Sequence, residues 1–359
     1  MENIFCYRTV IMLSIFILFF HLPSVVLSTS TYWETFDVPA GGPESYAFNS
    51  TGGGPFTGIN DGRIIKYEGC KLYFVNHAFT SPYRTNALCD NNTDPNLGSI
   101  CGRPLGLDFH LETNELYIAD AYHGLCKVGP EGGLATQLVT SANGLPLKWL
   151  DGLTVDQLSG NVYFTDVSSK YDLSQIEEHI STGDATGRLI KYNPKTKEVK
   201  VLLTDLKGAG GVALSKDSSF ILYSEFTGNK ISKYWLKGPK ATTVETVLNI
   251  PGPANIKRTT RGDFWVAVNF KTPSILPVGL RIDEFGTILE KVTFGISFHN
   301  KVINEVVEYL GFPDVVSALY VGSTYTNYGG IFEILFDETR SVVGGGKLKK
   351  CPPEEIASS

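Results

Sequence analysis

Three stretches of the chain share one pattern of apolar and polar positions: GLDFHLETNELYIAD (106–120), GLTVDQLSGNVYFTD (152–166) and GVALSKDSSFILYSE (211–225). Each starts on glycine, runs through an alternating apolar segment, breaks at a polar turn and resumes an alternating segment that ends on an acidic residue. That is a β-hairpin written three times. Looser versions follow at Asn255 (NIKRTTRGDFWVAV) and near Glu305 (EVVEYLGFPDVVSALYVG), so the steps are 46, 59, 44 and 50 residues. Further strands fill the intervals, in GRLIKYNPKTKEVKVLL (187–203) and GNKISKYWL (228–236), and an earlier unit stands in SYAFNS and GRIIKYEGCKLYFVN (62–76). Units of ~40–50 residues with several strands each predict an all-β, six-bladed β-propeller. The alternation predicts one face of each strand in the core between blades.

The N-terminal pattern differs. Arg8 precedes the apolar run IMLSIFILFF (11–20), then Pro23 and small residues, with Val26 and Ser28 at the spacing of a signal-peptidase site. This predicts a cleaved signal peptide over 1–28, a secreted or vacuolar protein and no membrane span after cleavage; a retained anchor is the alternative. Residues 29–343 then form one propeller, and the Gly-, Lys- and Pro-rich segment 344–359 a disordered tail. Removing Glu2 and Arg8 leaves the formal charge at −6. With no basic block besides KLKK near the end, nucleic acid is not an expected partner.

Five cysteines survive cleavage. Cys89 and Cys101 flank the polar insert DNNTDPNLGSI, which a disulfide would close with ~3 kcal/mol in the chain-entropy view. Cys70 and Cys126 lie in strand-like runs and read as buried thiols or as a second pair. Cys351 is in the tail. Sequons at Asn49 and Asn91 are candidate glycosylation sites.

Propeller ligands meet loops at the mouth of the central channel, so segments that break the repeat are the functional candidates. In 171–187 Ser174 and Glu177 have capping-box spacing, and Ile176, His179 and Ile180 share one helical face, which predicts a short helical lid. Trp149 and Asp151 precede a blade strand on one side, with Leu150 on the other. They could hold an amine by cation–π contact and charge, or be a packing tryptophan and a turn-capping aspartate. FKTPSILPVG (270–279) is unlike a strand interior. The segment 294–306 carries His299, Asn304 and Glu305. No nucleophile elbow, zinc-binding HExxH, phosphate loop or CxxC is present.

The phrases DGRIIKYEG, CDNNTDP with CGR, EGGLATQL, TVDQLSGNVYFTDVS, TGRLIKYNP, DSSFILYSEF, ISKYWLKGP and PGPANIKR resemble plant strictosidine synthases and their relatives over about residues 40–335. The resemblance implies a six-bladed propeller on the secretory route and a Cys89–Cys101 bridge. It also implies a mouth pocket in which an amine condenses with an aldehyde while a glutamate handles protons. Trp149 and Phe226 match pocket aromatics, and Ile176 and Ile180 the apolar lid face. Asp151 and Leu105 replace tyrosines. Asn304 stands at the catalytic glutamate and Val302 at a pocket histidine. An amide is no base, so the implied activity is of this chemical type without being strictosidine synthesis. Glu305, one residue on, and Asp151 are the candidate catalytic residues, although strand alternation turns Glu305 to the face opposite Asn304.

More distant resemblance to paraoxonases and gluconolactonases implies ester or lactone hydrolysis with a channel calcium ion. Glu44 and Asn255 match two ligand positions, while Gly210 and Ala254 replace others. A non-catalytic, ligand-binding propeller is the third reading.

Overall fold

The computed structural model describes residues 26–27, 33–68, 74–271, 273–294, 298–309 and 318–333. The predicted tail, Cys70 and Cys351 lie outside these, as does the predicted signal peptide apart from the short strand Val26–Leu27.

Six sheets surround a common axis, each with its first blade strand innermost; the blade strands pair antiparallel, and Val26–Leu27 and Gly133–Leu134 add parallel to the outer edges of blades 5 and 1. The inner strands are Tyr46–Ala47, Pro104–His110, Leu150–Val155, Ala209–Leu214, Pro253–Arg258 and Glu305–Tyr309, in blades 1 to 6. The repeated phrase is therefore the two inner strands of a blade. Its turn puts Asn114, Gly160 or Ser218 at positive φ, which is why that position is small or polar. Blade 6 takes its outermost strand from the other end of the chain. Trp33–Asp37 pairs antiparallel with Tyr328–Glu333, from Trp33 opposite Phe332 to Asp37 opposite Tyr328. This joins the first described blade residues to the last and closes the ring, removing an edge that would otherwise be open.

The glycine that starts each phrase has a packing cause. A Cβ on Gly106 would lie 2.2 Å from the Asp151 carbonyl oxygen of the next blade; on Gly152, 2.7 Å from that of Gly210; on Gly211, 2.4 Å from the Ile256 nitrogen. Neighbouring inner strands approach backbone to backbone around the axis, where only glycine fits.

The second strands are buried on both faces, not on one as the alternation alone suggests. In Glu115–Asp120, Leu116 and Ile118 pack toward blade 1 with Ile64 and Leu107, while Tyr117 and Ala119 pack toward blade 3 with Leu153 and Phe164. Phe264–Lys271 likewise sends Phe264, Val266 and Val268 toward blade 4, and Trp265 and Ala267 toward blade 6. A propeller blade is sandwiched between two others, so period-2 side chains feed two cores in turn.

The segment 270–279, expected to be irregular, is a hairpin joining strands Phe264–Lys271 and Ile275–Ile282, with Pro277 opposite Asn269. The polar insert between the cysteines is also ordered, as two single-turn helices, Asn86–Cys89 and Gly98–Cys101, around a 3-10 turn, and Cys89 is bonded to Cys101. Cys126 is a free buried thiol.

Candidate functional site

The acidic residue ending each phrase turns back on its own blade. Asp120 accepts from Arg103 N–H at 2.8 Å, Asp166 from Trp149 N–H at 3.0 Å and Glu225 from Lys207 N–H at 2.8 Å. These carboxylates hold the segment entering the inner strand. Two of the residues so held, Arg103 and Trp149, stand at the channel mouth, each anchored through its backbone with its side chain left for other contacts.

Glu44 reaches the mouth where blade 1 meets blade 6, and is buried. Asn304 Nδ2 donates to Glu44 Oε1 at 3.3 Å, while Asn304 Oδ1 accepts from Thr324 N–H (2.9 Å) and its hydroxyl (3.0 Å). The Asp151 carboxyl, from blade 3, meets Glu44 directly. Burial and then the like charge of Asp151 raise Glu44 well above the usual carboxylate range, against the opposing pull of Arg103. Burial pushes Asp151 up to about 6, opposed by its hydrogen bond with Glu44. Glu44, buried, and Asp151, half-buried, are in contact and titrate as a coupled pair, both raised. Outside the pair, Glu44 Oε2 and Asp151 Oδ1 have no hydrogen-bond partner among the described residues.

An aromatic wall rises beside this pair. Trp149, fully inside, packs with Leu105 and Val167, against Ile176 and Phe226. Above it lies the lid, a 3-10 turn Leu173–Gln175 leading into helix Ile176–Thr182, stopped by left-handed Gly183. The capping box is Asp172 with Gln175, not Ser174 with Glu177: Asp172 lies two residues nearer the N-terminus and caps the 3-10 turn that precedes the helix. His179 is completely buried, its ring 5.6 Å from that of Trp149 and 5.5 Å from that of Phe226. Its Nδ1 is 3.3 Å from Asp184 Oδ2, but neither ring nitrogen makes an aligned hydrogen bond. Burial lowers its pKa and Asp184 partly restores it. Ile180 does not join the wall; it is 45% exposed. The lid's contact line runs along Ile176 and His179, and Ile180 stands about 100° further round the helix.

The next residue after Asn304 belongs to another layer. Glu305 is fully buried on the axis; Oε1 accepts from Tyr46 N–H at 2.7 Å and Oε2 faces Lys257 Nζ at 3.4 Å. Lys257 also donates to the Leu107 carbonyl at 3.1 Å, and Asp108 accepts from Val155 N–H at 2.8 Å. Burial raises Glu305 to about 7 despite Lys257. Gly106, Gly152, Val212, Asn255 and Lys257 line the narrow space around it. Glu305 is thus apart from the mouth, and Asn304 is in it.

Asn255 donates its backbone N–H to the Asn304 carbonyl at 2.8 Å and has a buried, unpartnered Nδ2. With Glu44 it was expected to hold calcium. The donor set does not fit: Gly210 offers no side-chain oxygen, and the Arg103 charge acts on Glu44. Calcium takes six to eight oxygens, and no group of three or more His, Cys, Asp or Glu among the described residues could hold a metal.

Asn91 is exposed with φ 61°, whereas Asn49 Oδ1 accepts from Thr51 N–H, its hydroxyl and Gly53 N–H.

Sequence reasoning missed Arg103 and the pairing of Glu44 with Asp151. Glu44 and Asp151 are 107 positions apart and meet only because the ring closes. For Arg103 a local signal exists, a lone charge opening an otherwise apolar inner strand, RPLGL.

Similarity to known proteins agrees with this geometry. The family model for strictosidine synthase matches residues 151–239. The chain is 41% identical over 307 residues to strictosidine synthase of Catharanthus roseus, covering 84% of this chain and 85% of that protein. It is 39% identical over 324 residues to STRICTOSIDINE SYNTHASE-LIKE 12 of Arabidopsis thaliana, covering 89% and 95%. Among solved structures it is similar to a gluconolactonase from Xanthomonas campestris (TM-score 0.58, 12% identity, 85% and 91% covered) and to a calcium-binding regucalcin from Agrobacterium tumefaciens (TM-score 0.59, 12% identity, 86% and 95% covered). At that identity the likeness shows the propeller fold and no activity, and nothing here supports a hydrolase. The strictosidine synthase relatives match over nearly their whole length, and on that evidence the chain belongs to the strictosidine synthase-like family.

Proposed function

We propose that this protein is an enzyme that condenses a small amine with an aldehyde at the propeller mouth. The observation that carries this reading is the Glu44–Asp151 pair beside Trp149, Phe226 and the His179 lid, with no partner outside the pair for Glu44 Oε2 or Asp151 Oδ1 among the described residues. An amine enters water-soluble and protonated, and must lose a proton before it can attack a carbonyl. Asp151, with a pKa of about 6, is an ionised acceptor at neutral pH in a half-buried site. The freed nitrogen lone pair forms the C–N bond to the aldehyde carbon. The proton held by the pair returns to the carbonyl oxygen, a second proton passes to that oxygen from the attacking nitrogen, and it leaves as water as the iminium forms. The aromatic wall accepts the cationic or flat parts of the substrate.

Strictosidine synthesis itself is not proposed. Asn304 can donate or accept a hydrogen bond but cannot take a proton, and it is already engaged by Glu44 and Thr324. We further propose a secretory route, because residues 11–20 form an apolar run behind Arg8 and Asn91 lies exposed in a sequon.

Purified protein incubated with panels of aryl-ethylamines and aldehydes, followed by mass spectrometry, tests this reading. A condensation product that disappears in Asp151→Asn supports it. Binding of amines without any product favours a binding propeller, and neither binding nor product overturns it.

A further inference from the structure

Arg103 is buried, 9% exposed, and its Nη1 has no hydrogen-bond partner. A guanidinium withdrawn from water without a matched anion is costly, and natural proteins keep one where a ligand completes it. Its place is defined by its neighbours. It feels the charges of Glu44, and more weakly of Asp120 and Asp61, and Tyr325, from the blade 6 loop, feels Glu44, the lid residue Glu177 and Arg103 together. Gly42 makes room for it: a Cβ there would lie 2.8 Å from Arg103 Nη2. The Asp120 carboxylate holds its backbone and the Cys89–Cys101 bridge ends two residues before it, so the side chain is presented by a rigid support.

The nearest acid cannot neutralise it fully. Glu44 is already engaged by Asn304 and by Asp151. The mouth therefore sets a carboxyl pair beside a guanidinium whose Nη1 has no hydrogen-bond partner among the described residues. A plain amine satisfies the first and leaves the second bare; a plain acid does the reverse. A ligand bearing both groups satisfies both. The planar guanidinium fork matches a carboxylate bidentately, and a doubly charged phosphate would face repulsion from the carboxyl pair. We propose that Arg103 anchors a carboxylate on the amine substrate, so that the substrate class is an aromatic α-amino acid or a closely related amino carboxylate. This rests on the amine-binding reading above and narrows it.

Three matched probes test it, phenylalanine, phenethylamine and 3-phenylpropionate, titrated into the full-length protein by calorimetry. Phenylalanine is expected to bind about tenfold or more tightly than phenethylamine. Arg103→Ala should reduce that ratio to about threefold or less, and Arg103→Lys, which keeps the charge but not the fork, should fall between them. Near-ultraviolet circular dichroism checks that both variants are folded; if Arg103→Ala is not, the lysine variant alone decides. Phenylalanine and phenethylamine binding equally, with no change in the variants, overturns the anchor and leaves the amine reading standing. Phenylpropionate binding that depends on Arg103, without phenethylamine binding, keeps the anchor and overturns the amine reading. Binding of none of the three overturns both.

Discussion

Two acidic clusters sit in the same channel, one residue apart along the blade 6 strand. At the mouth, Glu44 and Asp151 lean on each other, next to Arg103, whose Nη1 has no partner among the described residues. On the axis, Glu305 is met by Tyr46 N–H and Lys257, and Lys257 by the Leu107 carbonyl. Both clusters are buried, and burial raises carboxyl pKa values in both. The difference is the kind of partner. Glu305 faces a cation, Lys257, and reads as a plug of the fold, although its Oε2 makes no aligned hydrogen bond. The mouth carboxyls face each other and an amide, beside a guanidinium whose Nη1 has no partner among the described residues, an arrangement that a ligand would complete. Burial and a raised pKa mark acids in both clusters, so variants at each are needed to separate them.

The largest effect should come from breaking the plug. Lys257→Ala strands Glu305 on the axis and is expected to lower the unfolding free energy by about 3–5 kcal/mol in urea titrations. Replacing both partners, Lys257→Met with Glu305→Gln, should recover most of that loss. Catalysis, once assayed, should survive the double change. If it collapses while stability is restored, Glu305 belongs to the reaction after all.

At the mouth the pattern should invert. Asp151→Asn removes a charge that the protein desolvates at a cost, so stability should change by less than about 1 kcal/mol, and upward, because the amide oxygen still accepts from Glu44. Condensation should fall by about 100-fold or more, the usual scale for a lost general base. In the wild type, activity should rise from pH 5 to 7 as Asp151 passes its pKa of about 6. A flat rate profile across that interval would take Asp151 out of the proton-transfer role.

The two clusters together set a pH dependence of folding. Folding raises Glu305 from 4.5 to about 7, so the folded state binds that proton more tightly than the unfolded chain. The stabilisation is complete below pH 4.5 and is lost as pH climbs through 7. Asp151 and Asp166, both raised from 3.8 to about 6, act in the same sense over a lower window. The lowered pKa values of His77 and His179 work the other way below 6.5. Glu305 alone should account for about 2 kcal/mol of stability lost between pH 5 and 7. Glu305→Gln should flatten the curve by that amount in denaturant midpoints measured across the interval. An unchanged slope would mean that Lys257 keeps Glu305 ionised throughout.

How far the sequence foretells all this depends on the range of the contacts. The blades are legible because glycine, alternation, turn and terminal acid recur within 15 residues, and each has a local cause in the ring of backbone contacts and the back-turned carboxylate. Ring closure is not, since Trp33–Asp37 finds its partner almost 300 positions away and lies outside the repeat. Burial of the second strands on both faces follows from the neighbours on either side, which a single hairpin does not reveal. The mouth is the hardest part. Glu44, Arg103, Asp151 and Asn304 come from blades 1, 2, 3 and 6, and individually each resembles an ordinary turn or strand-end residue.

The lid offers the finest comparison of paired and unpaired surfaces. Ile176 and Ile180 are the same residue type, one helical turn apart, and the periodicity assigns both to the apolar face. Ile176 packs on the Trp149 cluster, while Ile180 stays 45% exposed. Ile180→Ala should shift stability by less than about 0.5 kcal/mol and leave amine binding unaltered. Ile176→Ala should cost about 1 kcal/mol and loosen the His179 ring from Trp149 and Phe226, weakening ligand binding as well. Equal effects on affinity would show that a ligand draws Ile180 inward, so that the helix rotates about its axis when the mouth is filled. The measurement, intrinsic tryptophan fluorescence titrated with phenethylamine for each variant, follows Trp149 against the signal of Trp33, Trp235 and Trp265, subtracted with a Trp149→Phe control, and separates a fixed wall from a moving one.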